Sequence, residues 1–238
     1  MGAFLYGLGL QWKLDIRSKA MLITCYMLPL LFFAFMGGIF TSINPESKDT
    51  LIQSMSIFGV SMGALVGLPP SLVEIYSSNI KKVYKANGIP LFLSLVTHFV
   101  SSFIHLLIMC TIIFFTAPIL FDASTPSNIP VYYGSLAIYI ATTLSIGCIF
   151  GLVMKNMAKL TMVSQLIFMP SLMLSGIMFP TNLLPKVLEY IGRIFPAAWA
   201  FKATTRPEFD FILYIPMVVI FIISVIICSL VLPKKVNK

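Results

Sequence analysis

Leu174 to Ala203 reads LSGIMFPTNLLPKVLEYIGRIFPAAWAFKA, an apolar stretch too interrupted to be one ordinary membrane span. Pro180, Pro185 and Pro196 cut it into short pieces, because proline lacks the N–H that a helix interior needs. Thr181 or Asn182 can cap a helix in which Leu184, Val187, Leu188 and Ile191 fall at helical spacing, with Lys186, Glu189 and Arg193 on the other face. Glu189 stands four residues before Arg193, the favourable order for a helical ion pair. A piece of roughly 12 residues, ~18 Å long, cannot cross a ~30 Å hydrocarbon core. The spacing therefore predicts a segment over 179–211 that lies at the interface or dips in and returns, tolerated at depth only against protein or a cavity.

Outward from that stretch, the chain is 58% hydrophobic and 10% charged over 238 residues, with a mean hydropathy of +0.97. Such a composition excludes a soluble domain. Six apolar runs are long enough to span a bilayer: Met21 to Ile43, Leu51 to Ile75, Leu91 to Ala117, Val131 to Met154, Leu160 to Met178, and Ile212 to Leu232. Their lengths point to helices, since a barrel alternates in ~10-residue segments. The expected fold is an all-α membrane protein, one domain over residues 1–238. Cys25, Cys110, Cys148 and Cys228 all sit inside apolar runs without a CxxC pair, which points to reduced packing residues and away from a disulfide or metal framework.

The net charge of +8 invites a nucleic-acid reading, but no basic run is interleaved with aromatics, and in a polytopic protein charge first reports orientation. With both termini cytoplasmic, the inside carries Lys13, Arg17, Lys19, Lys81, Lys82, Lys85, Lys155, Lys159, Lys234, Lys235 and Lys238, eleven of the 16 basic residues. The outside then holds six of the eight acids, Glu46, Asp49, Asp122, Glu189, Glu208 and Asp210. Ahead of the first span, Phe4, Leu5, Leu8, Trp12 and Ile16 recur at helical spacing while Lys13, Asp15, Arg17 and Lys19 supply a polar face. Residues 1–20 thus read as a helix along the inner interface.

Several groups within the spans invite chemistry. The third run carries Ser94, Thr97, His98, Ser101, Ser102 and His105 as a stripe, which should face another helix or a cavity instead of lipid. Intramembrane histidines are functional candidates by default, and interhelical hydrogen bonding is the simpler role. Gly59-Val60-Ser61-Met62-Gly63 matches the G-x-S-x-G of a serine nucleophile, but a nucleophile elbow needs a strand-to-helix turn. Gly59, Gly63 and Gly67 repeat every four residues, the pattern of a close-packing helix face. Pro69-Pro70 should bend or end the second span, near Glu74 at the end of the run. Between spans two and three, Tyr76 to Pro90 reads YSSNIKKVYKANGIP, with Lys81, Lys82, Lys85 and an Asn87-Gly88 turn signal.

The 174–203 segment resembles the signature of the ABC-2 type transporter permeases, small-Gly-apolar-apolar-Phe-Pro, then Leu-Pro, then an aromatic-Pro turn, through Ser175, Gly176, Phe179, Pro180, Leu184, Pro185, Phe195 and Pro196. Phe195 stands where the family commonly has Asn, and Trp199 where it has Tyr or Phe. The resemblance implies that residues 76–90 form the intracellular coupling element, with Glu74, Lys81, Lys82, Lys85, Asn87 and Gly88 at the ATPase, although the usual Arg-Glu and Gly-Thr order is degraded here. It implies that the N-terminal helix packs near the ATPase and that a pair of such chains, identical or homologous, forms the pathway. Thr97, His98, Ser101 and His105 are then candidate pathway residues. No G-x-x-x-x-G-K-[ST] occurs, so ATP and magnesium are expected on two partner ATPase subunits and no cofactor on this chain. The resulting expectation is a non-enzymatic exporter subunit in a bacterial cell membrane, moving a drug, antimicrobial peptide, lipid or glycan precursor. A non-transporting immunity or sensor subunit of the same fold, or an intramembrane enzyme, are the other classes.

Overall fold

The computed structural model describes residues 2–78, 80, 84, 86–87, 90–179 and 184–236. Among the described residues the chain is helical, with no strand. Helix α1 (Gly2–Arg17) precedes α2 (Lys19–Ile43), α3 (Leu51–Ser77), α4 (Leu91–Phe121) and α5 (Ile129–Val153). Then come α6 (Met157–Met173), the short α7 (Lys186–Gly192) and α8 (Pro196–Thr205), and α9 (Phe211–Val236). Among the described residues five helices, α2, α3, α4, α5 and α9, are long and apolar enough to cross a membrane. The fifth expected run differs: α6 has 17 residues, ~25 Å at 1.5 Å per residue, and its continuation over 174–179 is a series of turns and bends.

Side-chain chemistry sets the helix ends. Ser18 accepts from the Met21 N–H, Asn128 from Val131, and Asn156 from Ala158 and Lys159, so each satisfies donors that a helix start leaves unpaired. Asp122, at φ 50°, closes α4 in the left-handed region, which short polar side chains tolerate.

The order of burial locates the core. The most apolar window of α3 is 83% buried and that of α9 only 17%, so α3 is the central post and α9 turns most of its apolar surface outward. Hydroxyl pairs clip the posts together: Ser56 to Tyr132 at 2.7 Å, Ser61 to Tyr139 at 2.6 Å, and Ser135 to Tyr214 at 2.7 Å. In lipid, where apolar contact brings no hydrophobic gain, small-residue packing and such bonds hold helices together.

Two π turns modify this picture, Ile23–Met27 in α2 and Gly63–Gly67 in α3. Each is followed within its next turn by proline, Pro29 in α2 and Pro69-Pro70 in α3. Pro69-Pro70 neither ends nor interrupts the second span, which runs on to Ser77. The widened turn absorbs the missing donors and the ring, so the helix passes through. The two wide turns face each other: a Cβ on Gly67 would stand 2.9 Å from Thr24 Oγ1 and 3.3 Å from Cys25 Sγ.

Candidate functional site

On α4 every member of the polar stripe, Ser94, Thr97, His98, Ser101, Ser102 and His105, is buried. The partner that covers it is α1. Ser101 Oγ donates to Asp15 Oδ2 at 2.5 Å and Gln11 Nε2 to Asp15 Oδ1 at 2.7 Å. Trp12 stacks on His105 with ring centroids 4.1 Å apart, and Tyr26 meets the same imidazole edge-on with its hydroxyl 2.7 Å from Nδ1. His98 Nδ1 donates to the Ser94 carbonyl at 2.9 Å, and Thr97 Oγ1 donates to the same oxygen at 3.1 Å. Among the described residues, His105 Nε2 and Ser94 Oγ have no partner.

This arrangement corrects the reading of α1. Asp15 does not share an outward polar face with Lys13, Arg17 and Lys19; it is 7% exposed and lies against α4, while Leu5, Leu10, Leu14 and Ile16 are exposed. The carboxylate accepts from Ser101 on α4 and from Gln11 on its own helix, and charge-assisted bonds are the stronger kind. The apolar residues left outside are free to meet lipid.

The glycines of α3 lie at close contacts. A Cβ on Gly59 would come within 2.5 Å of Met109 Cε, and one on Gly63 would overlap Leu106 Cδ2. A second glycine pair on α5 was not singled out in the sequence. A Cβ on Gly147 would overlap the Ala64 carbonyl oxygen, and one on Gly151 would lie 2.5 Å from Leu72 Cβ. Their i, i+4 spacing was a signal available to the same argument. Ser61 sits in continuous α3 and not on a strand-to-helix turn, donating to the Ile57 carbonyl at 2.8 Å and pairing with Tyr139.

Near the end of the second span, Glu74 lies on an exposed face of α3, and Tyr76 Oη donates to the Leu91 carbonyl at 2.7 Å, joining α3 to the start of α4. Asn87 is exposed. Lys81, Lys82, Lys85 and Gly88 lie outside the described residues, so the structure does not place the basic run. A groove of about 290 Å³ opens between α1, Tyr84 and the Leu93–Thr97 turn of α4.

The proline-cut segment is pinned by its backbone. Ser175 is buried and donates to the Leu172 carbonyl at 2.9 Å. Gly176, at φ 89°, makes a turn that a side chain would strain. Phe179 is exposed, while Pro180, Thr181 and Asn182 lie outside the described residues. The described helix after them has seven residues and begins behind Pro185, in place of a roughly 12-residue helix capped by Thr181 or Asn182. Proline fits best in a helix's first turn, so Pro185 marks a start. A Cβ on Gly192 would overlap the Leu174 carbonyl oxygen, so α7 folds back onto the end of α6. Phe195 is extended and Pro196 opens α8, whose Trp199 Nε1 donates to the Arg193 carbonyl at 2.7 Å. Arg193 bonds Glu189 at 2.7 Å and holds its carboxyl below the usual range, while its own guanidinium is raised.

These features define a multi-pass, all-helical membrane protein with a latched N-terminal helix and a folded-back segment ahead of its last long helix. Residues 4–209 match the family model of the ABC-2 type transporter, and the chain belongs to that family. It is thus a permease component of an ABC transporter, a class that associates in general with an ABC ATPase. Among curated proteins none matches the sequence.

Proposed function

We propose that this chain is the membrane-spanning subunit of an ATP-driven exporter, working with two separate ATPase subunits and a second permease subunit, identical or homologous. ATP and magnesium are held by the partners. The cargo class is hydrophobic or amphipathic. In this reading α6 with its following turns is a sixth span, both termini are cytoplasmic, and 179–211 is a re-entrant segment on the outer face.

The observation that carries the reading is the seam between α1 and α4. An interfacial helix bonded through Asp15 to Ser101 and stacked through Trp12 on His105 cannot move without the span beside it. Force applied by an ATPase to α1 and to the basic 76–90 segment then reaches α4, whose polar face includes Thr97, His98, Ser101 and His105. Coupling between distant sites can be carried by packed and hydrogen-bonded contacts of this kind.

The test is reconstitution. The chain is expressed with candidate ATPases from its own genome, and co-purification and ATP-dependent export from proteoliposomes are measured for wild type and for Lys81→Glu, Lys82→Glu, Lys85→Glu together. Charge reversal at a docking surface slows association when the charges are at the rim and costs ~2–5 kcal/mol when they are buried. Loss of coupled hydrolysis with topology intact supports the reading. A variant that keeps wild-type stoichiometry and coupled transport leaves 76–90 as a solvated topogenic loop, and the absence of any ATPase partner overturns the exporter assignment.

A further inference from the structure

At the end of the bundle that carries the 44–50 and 122–128 loops, Asp49, Gln53, Asn128, Thr204, Thr205 and Arg206 line a cavity of about 170 Å³. The space is an order of magnitude larger than the ~10–15 Å³ that one water requires. Gln53 is buried, only 4% exposed, and its Oε1 has no hydrogen-bond partner among the described residues. A buried carbonyl oxygen without a donor is costly, so the cavity is shaped to receive an N–H or O–H there.

The other walls narrow the choice. Asp49 accepts from Ser124 Oγ at 2.7 Å through Oδ1, and its carboxylate is part of the same lining. Asn128 Oδ1 already accepts from the Val131 N–H, which leaves it one lone pair, whereas Gln53 Oε1 accepts from no described group. Arg206 spends Nη1 on Asp210 at 2.6 Å, and a guanidinium has five N–H donors in all. A cavity with an orphan acceptor and a carboxylate on α3's end and a guanidinium at its rim fits a ligand with a donating cation at one end and an anion at the other.

We propose that this cavity binds a primary ammonium–phosphate zwitterion, the ethanolamine phosphate headgroup class, with the ammonium on Gln53 Oε1 and Asp49 and the phosphate on Arg206. The site is separate from the α1–α4 seam and does not depend on which cargo the protein moves. A quaternary ammonium has no N–H and cannot satisfy Gln53, so the site distinguishes ethanolamine from choline.

The experiment is thermal unfolding of the purified full chain, followed by tryptophan fluorescence, in phosphatidylcholine nanodiscs with and without phosphatidylethanolamine, and with free O-phosphoethanolamine or phosphocholine added. Ligand that binds only the native state raises the midpoint. The expected result is a rise of several degrees with phosphatidylethanolamine, absent with choline ligands, and lost in Gln53→Leu and in Asp49→Asn. Leucine nearly matches glutamine in volume, and Asp49 is exposed, so the second variant tests the site even where the first fails to fold. An equal rise with free O-phosphoethanolamine, lost in the same variants, upholds the site and makes its source soluble. No rise with either ethanolamine ligand, an equal rise with choline, or a rise kept in both variants overturns the proposal and leaves a water-filled cavity.

Discussion

Ser101 Oγ lies 2.5 Å from Asp15 Oδ2, across 86 residues of sequence, and this one bond joins the N-terminal helix to the polar face of the third long helix. Hydrogen bonds to charged groups contribute about 1.5–3 kcal/mol each. Asp15→Ala removes the acceptor for both Ser101 and Gln11 and should release α1. A Cβ on Gly7 would stand 3.7 Å from Thr97 Cγ2, so a Gly7→Cys, Thr97→Cys pair reports the docked state by oxidative crosslinking. Crosslinking should be efficient with Asp15 present and fall several-fold in Asp15→Ala. Equal yields in the two backgrounds would show that Trp12 and the apolar contacts dock the helix alone.

Glycine substitutions should rank by what the new methyl meets. Gly147→Ala pushes against the Ala64 carbonyl, a backbone atom, whereas Gly63→Ala meets the end of the Leu106 side chain, which can rotate away. Overpacking costs about 1–3 kcal/mol, and Gly147→Ala should fall at the upper end. Gly134 has open space around it and serves as the control. Detergent melting curves give the order, and a Gly63→Ala loss larger than that of Gly147→Ala contradicts it.

Between α3 and α5, the Ser61–Tyr139 pair at 2.6 Å is predicted to add little by itself. Interhelical hydrogen bonds in membranes average ~0.6 kcal/mol in double-mutant cycles, and Ser61 keeps its bond to the Ile57 carbonyl when Tyr139 is removed. A cycle over Ser61→Ala and Tyr139→Phe should therefore return a coupling near that value. A coupling of ~2 kcal/mol or more would mean that the pair is the main clip between these helices.

The proposed orientation is checked by impermeant thiol labelling of intact cells. Cysteine at Asp122 should be labelled from outside and cysteine at Lys82 should be protected until the membrane is opened, because the excess of basic residues sets orientation. The reverse pattern inverts the topology and removes the coupling role from 76–90.

On α7, Glu189 is solvent-exposed and its carboxyl is held below the usual range, chiefly by the Arg193 hydrogen bond. A lowered carboxylate pKa supplies stability above the unfolded-state value and loses it as pH falls through the folded one. The difference between wild type and Glu189→Gln should accordingly be constant from neutral pH down to the ordinary glutamate range and shrink below it. It should also be small and salt-sensitive, since the pair is exposed. A difference that grows on acidification would contradict the assigned pairing. Trp199→Phe, which deletes the bond to the Arg193 carbonyl, should loosen the segment at every pH, as read by protease sensitivity.

Much of the architecture was legible because it depends on run length and period. The apolar runs starting at Leu51 and Leu91 begin helices at those residues, and the stripe from Ser94 to His105 is buried as its spacing implied. What escaped the sequence depended on partners. Asp15 sits among charges at helical spacing, and nothing local tells a headgroup-facing carboxylate from one aimed at a serine far along the chain. Pro69-Pro70 read as a bend or an end of the span because the compensating π turn has no residue signature of its own. The cavity under Gln53 draws its walls from three separate segments, so no window of sequence contains it.

The paired wide turns have a consequence for how the chain tolerates length changes. A π turn holds one residue more than an α turn, and one residue is about 100° of rotation. The wide turn takes up that residue, so in each of α2 and α3 the two rods stay in line while their registers in the sequence differ by one. In α3 the Gly59–Gly63 side addresses α4 and α2, whereas the rod beyond addresses α5 through Pro69 and Leu72. Deleting one residue from 63–67 would close the wide turn to an α turn and leave Leu72 against Gly151, whereas the same deletion in a plain α turn of α3 would swing Leu72 by about 100°. At these two levels, and not elsewhere in α2 and α3, the chain can lose one residue and keep its contacts.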